Sequence, residues 1–598
     1  MRGEFMNRAL GVLLGAVMAS PALGGGTKVG LIELDGALLP HPSPMAWLGG
    51  EQQPTLLDLV GALRRAGDRD DVSGVVIRLK DAKLKVTQTQ ELGQAMRALR
   101  AKGKKVHVYA EAYGQGELAL ASFADEVLVQ DGGPISLPGI YMEEMFLADT
   151  LGWVGLKANM VQVGDYKGAS EPMARNAPSP QWEQNLNGLL DSMYANLRDQ
   201  IKAGRHMNDE QLDAAMRHGW LADSADAVKL RLVDRAVDFA TLGDDLKKAY
   251  AADVSWDTTL LGSHKAKLDA GNPFAMLAML TKKPDNTPKG PSIGILHVDG
   301  ALVDGDGKDG GLFGGEGNVG SRTIRRAIEE ILEQDQIKGV IVRIDSPGGS
   351  ATASEVIWQG LRRLAAKKPV WASVGSMAAS GGYYIAVGTD KIYVNPSSIV
   401  GSIGVVGGKI SMGGLYDLVK VRVYPHARGP AAGMFRSTTD WTPEELAMVR
   451  GKMTQTYDQF TRRVAAGRKG IDLTATAEGR LFTGDKAVAL KMADTIGSLQ
   501  SALDDMGASL GLDKPGVVHY PSPKSLDEVL QDAFKQFAAA PGLGDSRAPS
   551  PLVQQLLGTL KDVVGEAAWP SVRTNLQGLW ELRREPVLLM MPAALVDR

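Results

Sequence analysis

The sequence predicts an α/β protein that contains two copies of one domain, each with a mostly parallel sheet covered by helices. Three segments recur in order, and the clearest is G-L-I-E-L-D-G-A-L at 30–38, which returns as G-I-L-H-V-D-G-A-L at 294–302, an offset of 264 residues (294 − 30). The second repeated segment begins at Gly74 and again at Gly339, an offset of 265 (339 − 74). The third begins at Gly219 and again at Gly479, an offset of 260 (479 − 219), so the chain is a tandem repeat. Within each copy, β-branched runs alternate with amphipathic helical patterns, which is typical of βαβ units and a parallel sheet.

The chain begins with a segment typical of export signals. Arg2 and Arg8 precede an apolar run at 9–19, and small residues surround a candidate cleavage point after Ala22. The run is shorter than the roughly 20 apolar residues of a membrane span, but an uncleaved anchor remains open. We therefore assign residues 1–27 to a signal peptide or short membrane anchor and expect the rest of the chain to be exported.

The repeat and the composition set the other boundaries. They are 28–262 for the first copy, 263–291 for a linker rich in Pro, Lys and Asn, 292–515 for the second copy and 516–598 for a C-terminal extension. Helical periodicity at 526–537 and 552–564 predicts a helical tail, which an apolar stretch at 587–595 completes.

In the second copy, one serine lies at a turn suited to catalysis. We predict strands at Ile293–Val298, Gly339–Ile344, Val370–Val374 and Lys391–Val394, and helices at Ser321–Gln334 and Ala353–Ala366. Gly375 then opens a turn and a helix begins near Tyr383, which leaves Ser380 at a strand-to-helix turn. This position suits a nucleophile, because a helix N-terminus offers unpaired N–H groups to an oxyanion. Small residues at this turn would also suit tight helix packing, so the motif alone leaves both interpretations open.

The two copies differ at the positions where chemistry would take place. Ser380 of the second copy lies opposite Gly116 of the first at an offset of 264 (380 − 116), and Lys167 of the first lies opposite Arg428 of the second at 261 (428 − 167). A serine nucleophile needs a base, and arginine cannot act as one because it stays protonated. No histidine lies near a matching turn. A dyad assembled across the two copies would use the serine of one and the lysine of the other.

Composition argues against several classes of function. A net charge of −3 and a pI near 6.3 are not those of a protein that binds nucleic acid. The absence of cysteine removes thiolate ligands, and none of the eight histidines forms an H-x-x-x-H pair, so we expect no metal site. The sequence also lacks a phosphate-binding G-x-x-x-x-G-K-[ST] motif, and we expect no cofactor.

Four motifs carry a family resemblance. They are A-A-S-G-G-Y-Y at 378–384, D-S-P-G-G-S-A at 345–351, N-P-S-S-I-V-G-S-I-G-V at 395–405 and G-D-Y-K-G-A-S-E-P at 164–172. In this combination the chain resembles the signal peptide peptidase A family, also called protease IV, in its long tandem-domain form. The resemblance implies a Clp-protease/crotonase-type fold in both copies and a serine endopeptidase that degrades cleaved signal peptides and other peptides.

The same resemblance implies the roles of individual residues. By motif, Ser380 is the nucleophile, Lys167 the general base and Ser402 the serine that holds the lysine amine, while Gly349 and Gly381 supply the backbone N–H groups of the oxyanion hole. It further implies peptide partners, a homo-oligomer that is expected to be a tetramer, and membrane association. The expected location is the periplasmic side of the inner membrane, with the protein anchored or peripheral.

The chemistry of a lysine base sets an expectation for its surroundings. A lysine with its ordinary pKa of about 10.4 is almost fully protonated at neutral pH, and burial lowers that pKa because it disfavours the ammonium. We therefore expect Lys167 in a largely apolar pocket, with Ser380 and Ser402 as hydrogen-bond partners.

Two other functions remain open from the sequence. Crotonase-type acyl-CoA enzymes use a similar pair of oxyanion N–H groups, but they rely on carboxylates and need neither Ser380 nor an export signal. The other alternative is a catalytically silent scaffold at the membrane. The separation of Lys167 and Ser380 distinguishes it from an enzyme, because a decayed site has no reason to keep both groups within about 3 Å.

Overall fold

The structure is a computed structural model that describes residues 27–42, 53–262, 286–307 and 317–523, and the backbone of a C-terminal strand, Val587–Met590. The N-terminal apolar run, most of the linker and the two tail helices expected from the sequence lie outside these ranges. Among the helices within these ranges, none has the length and apolar character needed to cross a membrane.

The first copy is built on one parallel sheet. The strands of the first copy are β1 (Thr27–Ala37), β2 (Val72–Lys83), β3 (Lys105–Ala110), β4 (Glu126–Val129), β5 (Lys157–Val163), β6 (Arg235–Ala236) and β7 (Val254–Asp257). Its helices are α1 (Leu56–Asp68), α2 (Val86–Ala101), α3 (Gln115–Ala121), α4 (Ala148–Trp153), α5 (Glu171–Ala174), α6 (Pro180–Arg205), α7 (Asp209–Gly219), α8 (Ser224–Lys229) and α9 (Leu242–Tyr250). The sheet order is β6-β4-β3-β2-β1-β7, and every neighbouring pair is parallel.

The second copy has a related sheet at its centre. The strands of the second copy are β8 (Ser292–Asp299), β9 (Ala301–Val303), β10 (Asn318–Gly320), β11 (Ile337–Ser346), β12 (Gly348–Ser350), β13 (Val370–Ala379), β14 (Lys391–Val394), β15 (Ile399–Gly401), β16 (Val405–Ser411), β17 (Leu481–Thr483), β18 (Thr495–Ile496) and β19 (Gly516–Tyr520). Its helices are α10 (Ser321–Glu333), α11 (Ala351–Ala365), α12 (Gly381–Ala386), α13 (Gly413–Leu418), α14 (Pro443–Gly467), α15 (Leu473–Thr476), α16 (Gly484–Ala489) and α17 (Leu499–Ser509). The order of the central sheet is β17-β15-β13-β11-β8-β19, with β14 beside β13 and β18 beside β14, and β17 alone is antiparallel to its neighbour in this described sheet.

A third sheet joins the two copies. It runs β10-β9-β12-β20-β16-β5, where β20 is the C-terminal strand Val587–Met590. Strand β5 of the first copy pairs antiparallel with β16 of the second along its whole length. Because β5 leads to Lys167 and β16 follows Ser402, this pairing brings the two sequence motifs together.

The core explains why these sequences form strands and helices. In β11 the apolar residues are buried on both faces, as a parallel sheet covered by helices requires, and Val340, Ile341 and Val342 have no exposed surface. Helix α10 buries Ile324, Ile328 and Ile331, which recur at the helical period and face the sheet.

The repeated α/β architecture predicted from the sequence is confirmed, and the structure corrects it at two places. Gly375 does not open a turn, because β13 continues to Ala379 and its last residues pair with β15. The following helix begins at Gly381, earlier than Tyr383. Beyond residue 515 the structure describes two strands: β19 pairs with β8, and β20 enters the third sheet. The helices expected at 526–537 and 552–564 lie outside the described residues.

Candidate active site

Ser380 lies between a strand and a helix, as the sequence predicts. Strand β13 ends at Ala379 and helix α12 begins at Gly381, and the serine between them has φ +54° and ψ −113°. A left-handed φ is uncommon for a residue with a side chain and costs about 1–3 kcal/mol. Two backbone hydrogen bonds hold it: its N–H donates to the Gly401 carbonyl at 2.8 Å, and its carbonyl accepts from the Tyr384 N–H at 2.9 Å.

Lys167 of the first copy reaches the serine of the second. It follows β5 and directly precedes a short 3₁₀ turn, Gly168–Ser170, and it is only 1% exposed. Its Nζ lies 2.7 Å from Ser380 Oγ, 2.8 Å from Ser402 Oγ and 2.9 Å from the Ser402 carbonyl oxygen. The three residues that the sequence analysis grouped are thus in direct contact in the interior.

Burial lowers the pKa of this lysine and so favours its neutral form. The pKa of Lys167 is lowered well below its usual value of 10.5, and the cause is desolvation of the ammonium. A neutral amine has two N–H donors and one lone pair. If the two donors are directed at the Ser402 oxygens, the lone pair is left for the hydroxyl proton of Ser380.

The backbone around Lys167 is held by a loop of the second copy that sequence reasoning missed. The Tyr166 N–H donates to the Glu478 carbonyl at 2.8 Å. Next to it, Gly479 has φ +89°, and a Cβ on this glycine would lie 2.5 Å from the Lys167 nitrogen and 2.6 Å from its Cα. This position therefore requires glycine. Gly479 begins the repeated segment that lies at an offset of 260 from Gly219, and this glycine is the signal that could have indicated a close backbone approach.

Ser402 is fixed by its own backbone. It has φ +53°, and its N–H donates to the Arg480 carbonyl at 2.6 Å. Since Arg480 directly follows Gly479, one loop holds both Ser402 and the backbone of Lys167.

Gly349 and Gly381 lie on segments that approach each other closely. Gly381 is the first residue of α12, where the backbone N–H groups have no partner within the helix. A Cβ on Gly381 would lie 3.2 Å from Gly348 Cα, and one on Gly349 would lie 2.1 Å from the Leu302 carbonyl oxygen. Their role as oxyanion donors stays a prediction.

The counterpart positions have different surroundings. Gly116 lies within the short helix α3, and Arg428 is exposed on a segment without regular structure. Within the described part of the chain, no group of His, Asp and Glu side chains could hold a metal ion.

Comparison with known proteins places the chain in a family. The model of peptidase family S49 matches residues 98–255 and 362–513, one match in each copy. A protease 4 from Salmonella typhi is 27% identical over 544 residues, which cover 88% of this chain and 85% of that protein. A protease 4 from Haemophilus influenzae is 29% identical, with 79% of this chain and 78% of that protein covered.

One plant protein and one solved structure are also similar to the chain. The chloroplastic serine protease SPPA of Arabidopsis thaliana is 25% identical, and the match covers 72% of this chain and 62% of that protein. The solved 1510-N membrane-bound stomatin-specific protease is 17% identical to this chain, with a TM-score of 0.24. The match covers 38% of this chain and 97% of that protein. The two S49 matches and the protease relatives over most of the length lead to one conclusion: the chain belongs to peptidase family S49 and is a serine protease.

Proposed function

We propose that the chain is a serine endopeptidase with a Ser-Lys dyad that degrades cleaved signal peptides and other peptides. The observation that carries this proposal is the 2.7 Å separation between Lys167 Nζ and Ser380 Oγ in the buried contact between the two copies. Each copy supplies one member of the dyad, and neither copy holds both.

The first half of the reaction forms an acyl-enzyme. The neutral Lys167 amine takes the Ser380 hydroxyl proton while Oγ attacks the peptide carbonyl carbon. The carbonyl oxygen becomes an oxyanion, which the N–H groups of Gly381 and Gly349 stabilise, a contribution of about 3–4 kcal/mol per donor in comparable sites. The ammonium then gives its proton to the leaving amine, and the peptide bond breaks.

The second half of the reaction releases the product. Lys167, neutral again, takes a proton from water while the water oxygen attacks the acyl carbonyl, and the proton returns to Ser380 Oγ as the ester breaks. Throughout, Ser402 orients the amine through its hydroxyl and carbonyl oxygens, at 2.8 Å and 2.9 Å from Nζ. Peptide hydrolysis of this kind needs no cofactor or metal.

The geometry favours this mechanism over both alternatives. A catalytically silent scaffold has no reason to keep a buried amine against a serine, because burying an ionisable group without function is costly. A crotonase-type acyl-CoA enzyme would use carboxylates, whereas Ser380 Oγ faces the lysine amine.

We also propose where the protein acts and how it assembles. The export-type N-terminal segment supports a place on the periplasmic side of the inner membrane, anchored or peripheral. Exposed apolar side chains support a homo-oligomer, which we expect to be a tetramer: Trp153 is 84% exposed, Tyr424 78% and Leu418 61%. The Leu415 N–H donates to the Gly155 carbonyl, so Trp153 and Leu418 lie on adjoining segments.

Hydrolysis of a fluorogenic signal-peptide-like substrate tests the proposed function. The wild-type chain is expected to cleave it, and Ser380→Ala to lose activity by about 10³-fold or more. Ser376→Ala is the matched control, since Ser376 lies on the same strand with its Oγ 3.1 Å from Thr87 Oγ1, and it should retain activity. An inert wild-type protein, or an active Ser380→Ala protein, would contradict the proposal.

A further inference from the structure

Glu478 contacts the turn that carries Lys167 with its side chain as well as its backbone. Its carboxylate Oε2 accepts a hydrogen bond from the Asp165 N–H at 3.3 Å, and its carbonyl accepts one from the Tyr166 N–H at 2.8 Å. Asp165 and Tyr166 belong to the first copy, and Glu478 belongs to the second. One residue of the second copy therefore holds two consecutive N–H groups directly before the lysine.

The backbone on both sides of this contact has an unusual conformation. Glu478 has φ +63°, which is uncommon for a residue with a side chain. Facing it, Gly164 has φ +108°, and a Cβ on this glycine would lie 2.8 Å from the Glu478 carbonyl carbon. Backbone strain of this kind persists only where surrounding contacts maintain it, so the contact between the two segments is specific.

A tyrosine of helix α14 holds the carboxylate of Glu478. Tyr457 lies within α14, and its hydroxyl donates to Glu478 Oε1 at 2.7 Å. The two carboxylate oxygens thus have different partners, Tyr457 in the second copy and the Asp165 N–H in the first. Rotation of the carboxylate away from either partner breaks a hydrogen bond, so the side chain is fixed in one orientation.

The same helix also supports Ser380. Phe460 lies three residues after Tyr457 on α14, and its ring packs against the Tyr384 ring with centroids 4.9 Å apart. The Tyr384 N–H in turn donates to the Ser380 carbonyl at 2.9 Å. Residues three apart in a helix are neighbours on its surface, so one face of α14 supports both members of the catalytic pair.

We propose that Tyr457 and Glu478 are positioning residues for the general base: Tyr457 fixes the Glu478 carboxylate, and Glu478 fixes the turn that directs Lys167 Nζ at Ser380 Oγ. This inference rests on the proposed function, because it takes Lys167 to be the base. The described hydrogen-bond partners of Nζ are Ser380 and Ser402, so Tyr457 and Glu478 act through the turn and touch no reacting atom.

Glu478 acts by position rather than by charge. The pKa of Lys167 is lowered by desolvation, whereas a negative charge close to the amine would raise that pKa. A turn held in place keeps water away from Nζ, and a loosened turn admits water and lets the pKa return toward 10.5. Loss of the Glu478 contacts should therefore misplace the base and raise its pKa together.

Steady-state peptide hydrolysis over a range of pH tests this with two substitutions at one position. For Glu478→Ala we expect kcat to fall about tenfold or more, KM to stay within about twofold, and the midpoint of the rise of kcat/KM with pH to move up by about one pH unit. In Glu478→Gln the amide oxygen can accept from the Asp165 N–H and the amide N–H can donate to Tyr457, so kcat should stay within about threefold of wild type. A Glu478→Ala protein with the wild-type kcat and midpoint would overturn the inference.

Two further variants separate positioning from stability. Asp125 is the matched control, because its carboxylate also accepts from one side chain, Arg100 Nε at 2.7 Å, and one backbone N–H, that of Val106 at 2.8 Å. Asp125→Ala should lower the midpoint of denaturant unfolding and leave kcat unchanged. Tyr457→Phe removes one hydroxyl and should shift kcat and the pH midpoint in the same direction as Glu478→Ala, and it decides the matter if Glu478→Ala does not fold. Equal losses of kcat in Asp125→Ala and Glu478→Ala would contradict the proposal.

Titration of the lysine itself separates this inference from the proposed function. In protein with isotopically labelled lysine Cε, the Lys167 resonance is identified by its absence in Lys167→Met. We expect its titration midpoint below 10.5 in wild type and about one pH unit higher in Glu478→Ala. If wild type hydrolyses peptides but the two midpoints coincide, this inference alone fails. If wild type hydrolyses no peptide, the proposed function fails, and the titration still decides whether Glu478 positions the amine.

Discussion

At the scale of single residues, the site depends on how Lys167 is buried. Its Nζ is surrounded by three oxygens of Ser380 and Ser402, and removal from water lowers its pKa. Ser380 and Ser402 both have a left-handed φ, which directs their side chains toward the amine at the expense of local backbone strain. The same burial that makes the lysine a base must also affect stability.

The first prediction concerns the pH dependence of catalysis. Only neutral Lys167 can accept the Ser380 proton, so kcat/KM should rise with pH through the lowered pKa of Lys167 and fall on acidification. We expect the midpoint of this limb well below 10.5, measured with an uncharged fluorogenic peptide between about pH 5 and pH 10. A limb centred at the ordinary lysine value would contradict a base of lowered pKa, provided that circular dichroism finds the protein folded throughout.

The second prediction concerns stability. Because the folded-state pKa of Lys167 is depressed, the unfolded chain binds more protons between the folded and unfolded pKa values, and the lysine lowers the free energy of unfolding there. Lys167→Met has a similar volume and no charge. We expect it to raise the free energy of unfolding by about 1–4 kcal/mol, as other replacements of buried ionic groups do.

The shape of this stability change with pH is the check on its cause. The gain from Lys167→Met should be largest below the folded-state pKa of Lys167 and should shrink as pH rises from there toward 10.5, where the unfolded lysine also loses its proton. Denaturant unfolding at several pH values measures it. A gain that is independent of pH across this window would assign the effect to packing instead.

At the scale of elements, loops and strands from both copies build the site. Strand β5 delivers the lysine, β13 and α12 hold Ser380, and the loop at 478–480 fixes Lys167 and Ser402 from the opposite side. The position of each catalytic group therefore depends on contacts between elements far apart in the chain.

The third prediction tests the contact between this loop and Lys167. Gly479→Ala places a Cβ 2.5 Å from the Lys167 nitrogen at φ +89°, so the backbone must move and the lysine with it. We expect kcat to fall about 10²-fold, since a displacement of about 1 Å can have that effect. The measurement is steady-state peptide hydrolysis.

Gly188→Ala is the matched control for that prediction. Gly188 lies inside α6, and a Cβ there has no neighbour within 4 Å among the described residues. Alanine in a helix interior should stabilise by about 0.5–1 kcal/mol and leave kcat unchanged. If Gly479→Ala kept full activity, the loop would not position the lysine.

The sequence predicted part of this arrangement, for a physical reason that can be traced to a few residues. The repeat aligned Ser380 with Gly116 and Lys167 with Arg428, so differences at single positions were enough to indicate the pair. The strands of the second copy could be located because apolar β-branched runs such as β11 are buried on both faces, and helices such as α10 because their buried residues recur at the helical period. The insertion of β20 depends on unpaired strand edges elsewhere, and a local pattern at 587–595 carries no information about those edges.

At the scale of the whole molecule, the two copies are coupled by buried polar contacts. Glu91 on α2 of the first copy is 2% exposed and lies within reach of the second copy. Its carboxylate accepts hydrogen bonds from Arg343 Nη2 at 2.6 Å, Asn395 Nδ2 at 3.0 Å and the Leu499 N–H at 3.0 Å. Such a contact keeps the lysine of one copy in register with the serine of the other.

The fourth prediction concerns this coupling. Glu91→Ala leaves the Arg343 guanidinium, whose side chain is only 12% exposed, without its carboxylate, so the free energy of unfolding should fall by about 3–5 kcal/mol. The control is Asp504→Ala, which removes the ion pair between Asp504 of the second copy and Arg64 of the first. There both side chains are about half exposed, and the loss should stay within about 1 kcal/mol. Equal effects in denaturant unfolding would mean that Glu91 does not hold the copies together.

The central claim is that a lysine of one copy and a serine of the other act as one catalytic unit, and a double-mutant cycle tests it most directly. We would measure kcat/KM for the wild-type chain, Ser380→Ala, Lys167→Ala and the double variant on one fluorogenic peptide, with folding of each verified. If the two residues act together, each single variant loses about 10³-fold or more and the double variant loses no more than either. If Lys167→Ala keeps most of the activity, or if the two losses multiply, the dyad across the copies is wrong.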